Sequence, residues 1–159
     1  MSDLTSDILT SGVEIRRATA DDVPAIVAML ADDPLGARRE TPEDPAPYRA
    51  AFAAIDADPQ QQLIVAVRDG RPIGTLQFTV IPGLSHRGSR RALVEAVRVH
   101  ADERGRGLGS LLMRWALEEA RRLDCMLLQL TSDATRLDAH RFYERLGFEA
   151  SHLGFKYHL

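Results

Sequence analysis

The stretch that most restricts this chain lies between residues 93 and 123. There an apolar run, Leu93 to Val99, gives way to Arg104-Gly105-Arg106-Gly107-Leu108-Gly109-Ser110. A helical pattern follows from Leu108 through Leu111, Leu112, Trp115 and Ala116 to Leu123, an apolar stripe on one face. Each glycine removes a Cβ that would hold an anion away from the backbone. The N–H groups of a first helical turn point outward with the positive end of the helix dipole. Strand, alternating glycines and amphipathic helix in that order describe a cradle for a pyrophosphate, and Arg104 and Arg106 add charge beside it. Two other phosphate loops are excluded. A Walker A loop needs Lys after its glycines, and the only Lys is Lys156. A dinucleotide fingerprint needs a third glycine where this chain has Ser110, counting from Gly105, or Leu112, counting from Gly107.

The rest of the chain supplies the elements around that core. Val13 to Arg16 alternates as a half-buried strand does, and Thr19-Ala20-Asp21-Asp22 has the form of a capping box. The helix it opens carries Val23, Ile26, Val27 and Leu30 at i, i+3, i+4 and i+7. Residues 33 to 47, with four prolines, read as a connection, and Tyr48, Phe52 and Ile55 mark a second, weaker helix closed by Pro59. Leu63 to Val67 and Ile73 to Ile81 flank Asp69-Gly70 and predict an antiparallel hairpin. Residues 82 to 89 form a loop. Met126 to Leu130 predicts a short strand buried on both faces. Asp138 to Leu146 predicts a last helix stopped by Gly147, and Phe148 to Leu159 a closing strand.

Composition narrows the function. The 159 residues carry 20 Lys+Arg and 23 Asp+Glu, a formal net charge of −3, and suit one soluble domain over 13–159 behind a disordered or extended N-terminus, 1–12. An isoelectric point near 5.9 and few aromatic residues argue against nucleic acid. No apolar run approaches the roughly 20 residues of a bilayer span, and the acidic N-terminus lacks the features of a signal peptide. The expected location is therefore the cytoplasm, away from membranes. Cys125 is the only cysteine, which forbids an internal disulfide and a Cys-based zinc cage. The five histidines have no helical pairing with a carboxylate, so no metal is expected. Residues 1–60 hold twelve acids and five bases, a front half suited to a cationic substrate, whereas residues 61–159 hold eleven acids and fifteen bases.

The glycine loop resembles the acetyl-CoA loop of the GNAT superfamily of N-acetyltransferases, whose Arg/Gln-x-x-Gly-x-Gly/Ala is met by Arg104, Gly107 and Gly109. The order of elements across residues 13–159 is similar to that fold, and Ala139 to Phe148 looks like the family's late segment. The resemblance implies a mixed, mostly antiparallel α/β (α+β) sheet of six to seven strands flanked by about four helices. It implies acetyl-CoA as co-substrate, with the backbone of Val97, Arg98 and Val99 on the acetyl and pantetheine groups. Arg104, Gly105, Arg106, Gly107, Leu108, Gly109 and Ser110 would then hold the pyrophosphate. It implies Glu95 as the base for the acceptor amine and Tyr143 as the acid for the departing thiolate. Many members have Asn where this chain has Arg136, which could instead reach a phosphate. In the C-terminal third, Arg136 to Tyr143 followed by Ser151-His152 is similar to aminoalkylphosphonate N-acetyltransferases. An aminoalkyl acid or aminoalkylphosphonate is thus the hinted acceptor. Homodimers are common in such a family.

Elementary chemistry asks for the same residue types. A primary amine with a pKa near 10 is almost fully protonated at neutral pH, so attack on a thioester needs a base. Glu95 is the only acid between Asp69 and Asp102 and shares strand parity with Val97 and Val99 unless a bulge intervenes. Its alternative is a salt bridge to Arg91 or Arg98, and that of Tyr143 is packing at a helix end. Gln77, His86 and His152 are candidates to touch the acceptor. Cys125 and Trp115 read as core. The expected activity is direct acetyl transfer to a primary amine of a small molecule. Protein N-acetylation and a non-catalytic acyl-CoA sensor are the alternatives.

Overall fold

The computed structural model describes residues 12–159, in two compact units that divide after Gln129. The expectation of a disordered or extended segment over 1–12 therefore lies outside the described residues, apart from Gly12.

The first unit is a five-stranded sheet in the order β1 (Glu14–Arg17), β2 (Gln61–Arg68), β3 (Arg71–Ile81), β4 (Arg90–Val99) and β5 (Cys125–Gln129). The first three pairings are antiparallel and the β4–β5 pairing is parallel. Asp69 and Gly70 both take positive φ, 51° and 74°, and close the β2–β3 hairpin as expected. Before the sheet is completed the chain makes α1 (Val23–Ala31), the single turn α2 (Gly36–Arg39) and α3 (Ala46–Ala57). A further turn, α4 (Ser85–Gly88), is left-handed at His86 and Arg87, and α5 (Leu108–Arg122) is the longest helix.

At the head of α1, the Thr19 N–H donates to the Asp22 carboxylate at 2.8 Å and its hydroxyl does so at 3.2 Å. Arg16 of β1 donates to the same carboxylate at 2.7 and 3.1 Å, which fastens the helix to the sheet edge. These hydrogen bonds, that from Arg16 foremost, hold the Asp22 carboxyl below the ordinary carboxylate range. Alternation decides which helix each strand residue meets. Val65 and Val67 pack with Ile26 and Met29 of α1. Phe78 instead meets Trp115 of α5 edge-on, with ring centroids 5.9 Å apart. Leu108, Leu112, Met113, Ala116 and Ala120 are the buried face of α5. Gly74 lets this helix come close, since a Cβ there would stand 3.1 Å from Leu112 and 3.2 Å from Leu108.

The second unit, Leu130–Leu159, contains α6 (Leu137–Arg145). Gly147 follows it at φ 94° and ends the helix as expected. Three expectations are corrected. Among the described residues the sheet has five strands rather than six to seven, because residues 148–159 enter no ladder and a strand exists only with a partner. Nor is β5 buried on both faces: Met126 and Leu127 are 46% and 41% exposed. That strand lies at the sheet edge and pairs with β4 at only three positions. Among the described residues there are six α-helices rather than about four, because the connections at Gly36–Arg39 and Ser85–Gly88 each close a single helical turn, and no described helix is long and apolar enough to cross a membrane.

Candidate active site

β4 is where the two halves of the site meet. It pairs with β3 from Ile81↔Arg91 to Gly74↔Val99, but with β5 only at Arg90, Ala92 and Leu93. Val94 to Val99 therefore carry no ladder to β5, and the two parallel strands diverge. This leaves backbone groups that a ligand's amides can pair with, as an added strand would. The carbonyls here are not idle: Val97 O accepts from the Arg98 guanidinium at 2.9 Å, and Val99 O accepts from Arg104 Nε at 3.3 Å.

In the middle of this stretch Ala96 has φ 53°, and the β3–β4 register changes between Thr75↔Arg98 and Gln77↔Glu95. Ala96 and Val97 together oppose Leu76, a β-bulge whose left-handed residue costs on the order of 1 kcal/mol for a side chain other than Gly. The bulge corrects the expected parity. Glu95 and Arg98 pair with Gln77 and Thr75, which are two apart on β3, so they share the face toward α1 and α3. Val99 pairs with Gly74 on the opposite face, toward α5. Glu95 is exposed and, among the described residues, enters no ion pair, while Arg98 is paired with Asp33 at 3.1 Å. The alternative of a Glu95–Arg98 or Glu95–Arg91 salt bridge is therefore not realised.

Beyond β4, a 3₁₀ turn (Ala101–Glu103) leads to Gly105 at φ 76° and Gly107 at φ 82°, ψ 5°. Gly107 is the N-cap of α5, and no side chain caps that end. The first-turn N–H groups of Leu108, Gly109 and Ser110 lack intrahelical acceptors by the geometry of any helix start, and no acid stands in that turn. The arrangement fits a diphosphate. The arginines are placed less freely than the sequence suggests. Arg104 reaches Asp32, just past the end of α1, at 3.1 Å, and Arg106 stands 3.9 Å from Glu103, which holds Arg68 at 2.6 Å.

On the other face of β4 a chamber of about 190 Å³ lies between α1, α3 and the sheet. Val23, Ile26, Val27, Phe52, Ile55 and Leu63 form most of its wall, and Gln77 and Ala96 bring it to the bulge. Sequence reasoning had named Gln77 but not the chamber. The signal was available in Tyr48, Phe52 and Ile55, a stripe too thin to bury α3, which has no buried residue at all. His86 is exposed on the left-handed turn and is not among the lining residues.

Within the second unit, Tyr143 packs edge-on against Phe142 and Phe148, with centroids 5.1 and 5.9 Å apart. Arg136 is the exposed N-cap residue of α6, and His152 shares a 2.7 Å hydrogen bond with the Ser151 hydroxyl. In the first unit, burial pushes the Cys125 thiol above its ordinary value, which disfavours the thiolate a nucleophile would need. Among the described residues no three His, Cys, Asp or Glu side chains are grouped to hold a metal.

With this geometry in place, comparison with known proteins gives it a family. The sequence profile of the Acetyltransferase (GNAT) family matches residues 24–148, and the chain belongs to that family of acetyltransferases. It is 33% identical over 142 residues to the aminoalkylphosphonate N-acetyltransferase of Salmonella typhimurium, covering 89% of this chain and 88% of that protein. That similarity is thus not confined to the C-terminal third. Among solved structures, a transcriptional regulator from Bacillus halodurans C-125 superposes with a TM-score of 0.90 at 48% identity, over 92% of this chain and 99% of that one. A proposed acetyltransferase from Agrobacterium tumefaciens does so with a TM-score of 0.79 at 29% identity, with the same coverage.

Proposed function

We propose that the chain transfers the acetyl group of acetyl-CoA directly to the primary amine of a small molecule, with Glu95 as base and Tyr143 as acid. The observation that carries this reading is the position of Glu95. It pairs with Gln77 of the chamber's lining, next to the bulge and on the stretch of β4 that carries no ladder to β5, without itself belonging to the lining. Acetyl-CoA supplies the thioester. The backbone of Val97 to Val99 and the loop from Arg104 to Ser110 would hold it, and Arg136 is a further candidate for its phosphates. Arg104 would exchange Asp32 for a phosphate oxygen. The Glu95 carboxylate takes a proton from the acceptor ammonium. As the C–N bond forms and the C–S bond breaks, the Tyr143 hydroxyl protonates the leaving sulfur, and the second proton shed by the nitrogen, passed through solvent, restores the phenol. Among the described residues no Cys, Ser or Lys side chain is placed as an obvious acyl carrier, so transfer within a ternary complex is expected. The aminoalkylphosphonate relative favours a small amine as acceptor over a protein.

Thermal shift with acetyl-CoA, CoA and NAD, followed by thiol release across a panel of amines, tests this. A ligand at about 100 times its Kd stabilises a fold by roughly 2.7 kcal/mol, so both CoA species should raise Tm and NAD should not. CoA binding with no amine-dependent thiol release would indicate a sensor. Tyr143→Phe should lower kcat about 100-fold and leave CoA affinity unchanged. A wild-type kcat in that variant would remove the acid assignment.

A further inference from the structure

We infer that the chamber beside Glu95 is the acceptor's pocket and that it selects an amine with a compact, uncharged apolar body, a branched alkyl group or a single aromatic ring, rather than an anionic one. This inference rests on the acetyltransferase reading of the same site and adds the chemical class of the acceptor.

The lining contains no ionisable acid or base other than the Tyr48 phenol. Its polar groups are Tyr48, Thr75 and Gln77, and each is engaged within the protein. The Tyr48 hydroxyl donates to Glu40 and accepts from the Thr41 N–H, both at 2.8 Å. The Thr75 hydroxyl donates to the Ile64 carbonyl at 2.8 Å. The Gln77 amide donates to Gln61 Oε1 at 3.0 Å, an oxygen that Thr79 also holds at 2.8 Å. Two arginines share this face of β4: Arg98 is paired with Asp33, and Arg91, opposite Ile81 and four residues before Glu95, lies beside Gly83 and outside the lining.

A phosphonate or carboxylate driven into such walls would lose its hydration and find no cation and at most the second N–H of Gln77, a large penalty for a charge. An apolar group gains instead. A cavity of about 150 Å³ lined by Leu, Ile and Phe takes up benzene, so about 190 Å³ accommodates one ring or a five-carbon branch. The charged end of the same molecule meets the opposite environment. Glu95 is exposed, lies on the chamber's face of β4 and is the carboxylate opposite Gln77, so an ammonium is drawn to the mouth while the body goes inward. The exposed residues at that mouth, Ala51 and Ala96, are small and leave a way in.

The experiment follows thiol release at saturating acetyl-CoA with ethylamine, isoamylamine and phenethylamine, set against 2-aminoethylphosphonate and glycine. Each buried methylene is worth about fourfold in kcat/KM. Isoamylamine should therefore exceed ethylamine about 60-fold, with phenethylamine at least as good. Both anionic amines should fall below ethylamine. Ala51→Leu, an exposed helix position where Leu is well tolerated, pushes a branched side chain into the chamber. It should raise KM for isoamylamine and phenethylamine at least tenfold and for ethylamine by a smaller factor, with the rise in Tm on adding acetyl-CoA retained.

The inference is overturned if 2-aminoethylphosphonate or glycine is the better substrate, or if acetyl-CoA binds and neither series turns over. It is also overturned if Ala51→Leu acts equally on short and long amines. A change in preference between acetyl-CoA and butyryl-CoA in that variant would assign the chamber to the acyl chain instead. Absence of any acetyl-CoA thermal shift would strike the acetyltransferase reading itself, and so distinguishes the two failures.

Discussion

On the α5 side of β3 and β4, Leu76, Phe78, Val94, Leu112 and Met113 are each at most 1% exposed, so this face is filled. On the α1 and α3 side the same two strands border a chamber of about 190 Å³, and α3 contributes no buried residue. Packing on the first face fixes where α5 begins, and with it the direction in which its first N–H groups point. In the proposed function that face meets the donor through the backbone, which varies little with side-chain identity. The second face is left incompletely packed, which forfeits contact energy that a closed core would have gained. Its shape is set by side chains, which is why the proposed acceptor pocket lies there. The contrast separates a part suited to a common donor from a part suited to a particular acceptor.

The contrast can be broken most severely at the helix start. Gly107→Val places a branched residue at φ 82°, in the region that L side chains rarely adopt, and fills the approach to the N–H groups. Acetyl-CoA should no longer raise Tm, and turnover should vanish. A folded variant with unchanged acetyl-CoA affinity would reduce the loop to a turn.

Next in size is Glu95→Gln. General base catalysis is worth about 10² to 10⁴-fold, so kcat/KM at neutral pH should drop by about 10³ with CoA affinity intact. The deficit should shrink as pH rises toward the amine's own pKa, because more acceptor then arrives neutral. A deficit constant with pH would exclude Glu95 as the base.

Stability tests the packing difference directly. Phe78→Ala, on the filled face, should cost about 4 kcal/mol in urea unfolding, whereas Phe52→Ala, half-buried beside a space already present, should cost about 2 kcal/mol or less. Equal costs would mean the chamber collapses in solution.

The smallest effect concerns pH. Asp22 has its carboxyl lowered in the folded state, chiefly by the hydrogen bond from Arg16. Its contribution is therefore complete above the unfolded carboxylate pKa of about 4 and is lost as pH falls through the lower folded value. Because Arg16 is about a third exposed, with a side-chain accessibility of 32%, solvent screens the pair. Asp22→Asn should cost about 1 kcal/mol at pH 7 and progressively less below pH 4. A cost independent of pH would assign the effect to capping geometry rather than charge.

Much of the molecule was legible before its structure. Thr19 and Asp22 announced the start of α1, Asp69-Gly70 the hairpin, and the glycines after Val99 the head of α5, because each is a local preference that a few adjacent residues settle. Glu95 stood out as a lone acid in an apolar strand. Its face did not, since the bulge at Ala96 follows from how β4 fits against Leu76 of β3, and nothing in Glu95-Ala96-Val97-Arg98 announces it. The partners of Arg98 and Arg104 were equally hidden. Asp33 and Asp32 lie more than sixty residues away and meet these arginines only when the end of α1 is laid beside β4.

What the sequence determined by itself, then, is the order of the elements, the glycine-rich, uncapped start of one helix and the presence of residue types fit for acid and base work. These depend on φ preferences, periodicity and side-chain chemistry, all of which act over a few residues. Tertiary structure alone decided that the sheet has five strands, that β4 parts from β5 after Leu93 and that a bulge turns Glu95 toward α1 and α3. It alone left a chamber under α3. Strand pairing and cavity shape are sums over contacts between residues far apart in the chain, and no local preference records such a sum.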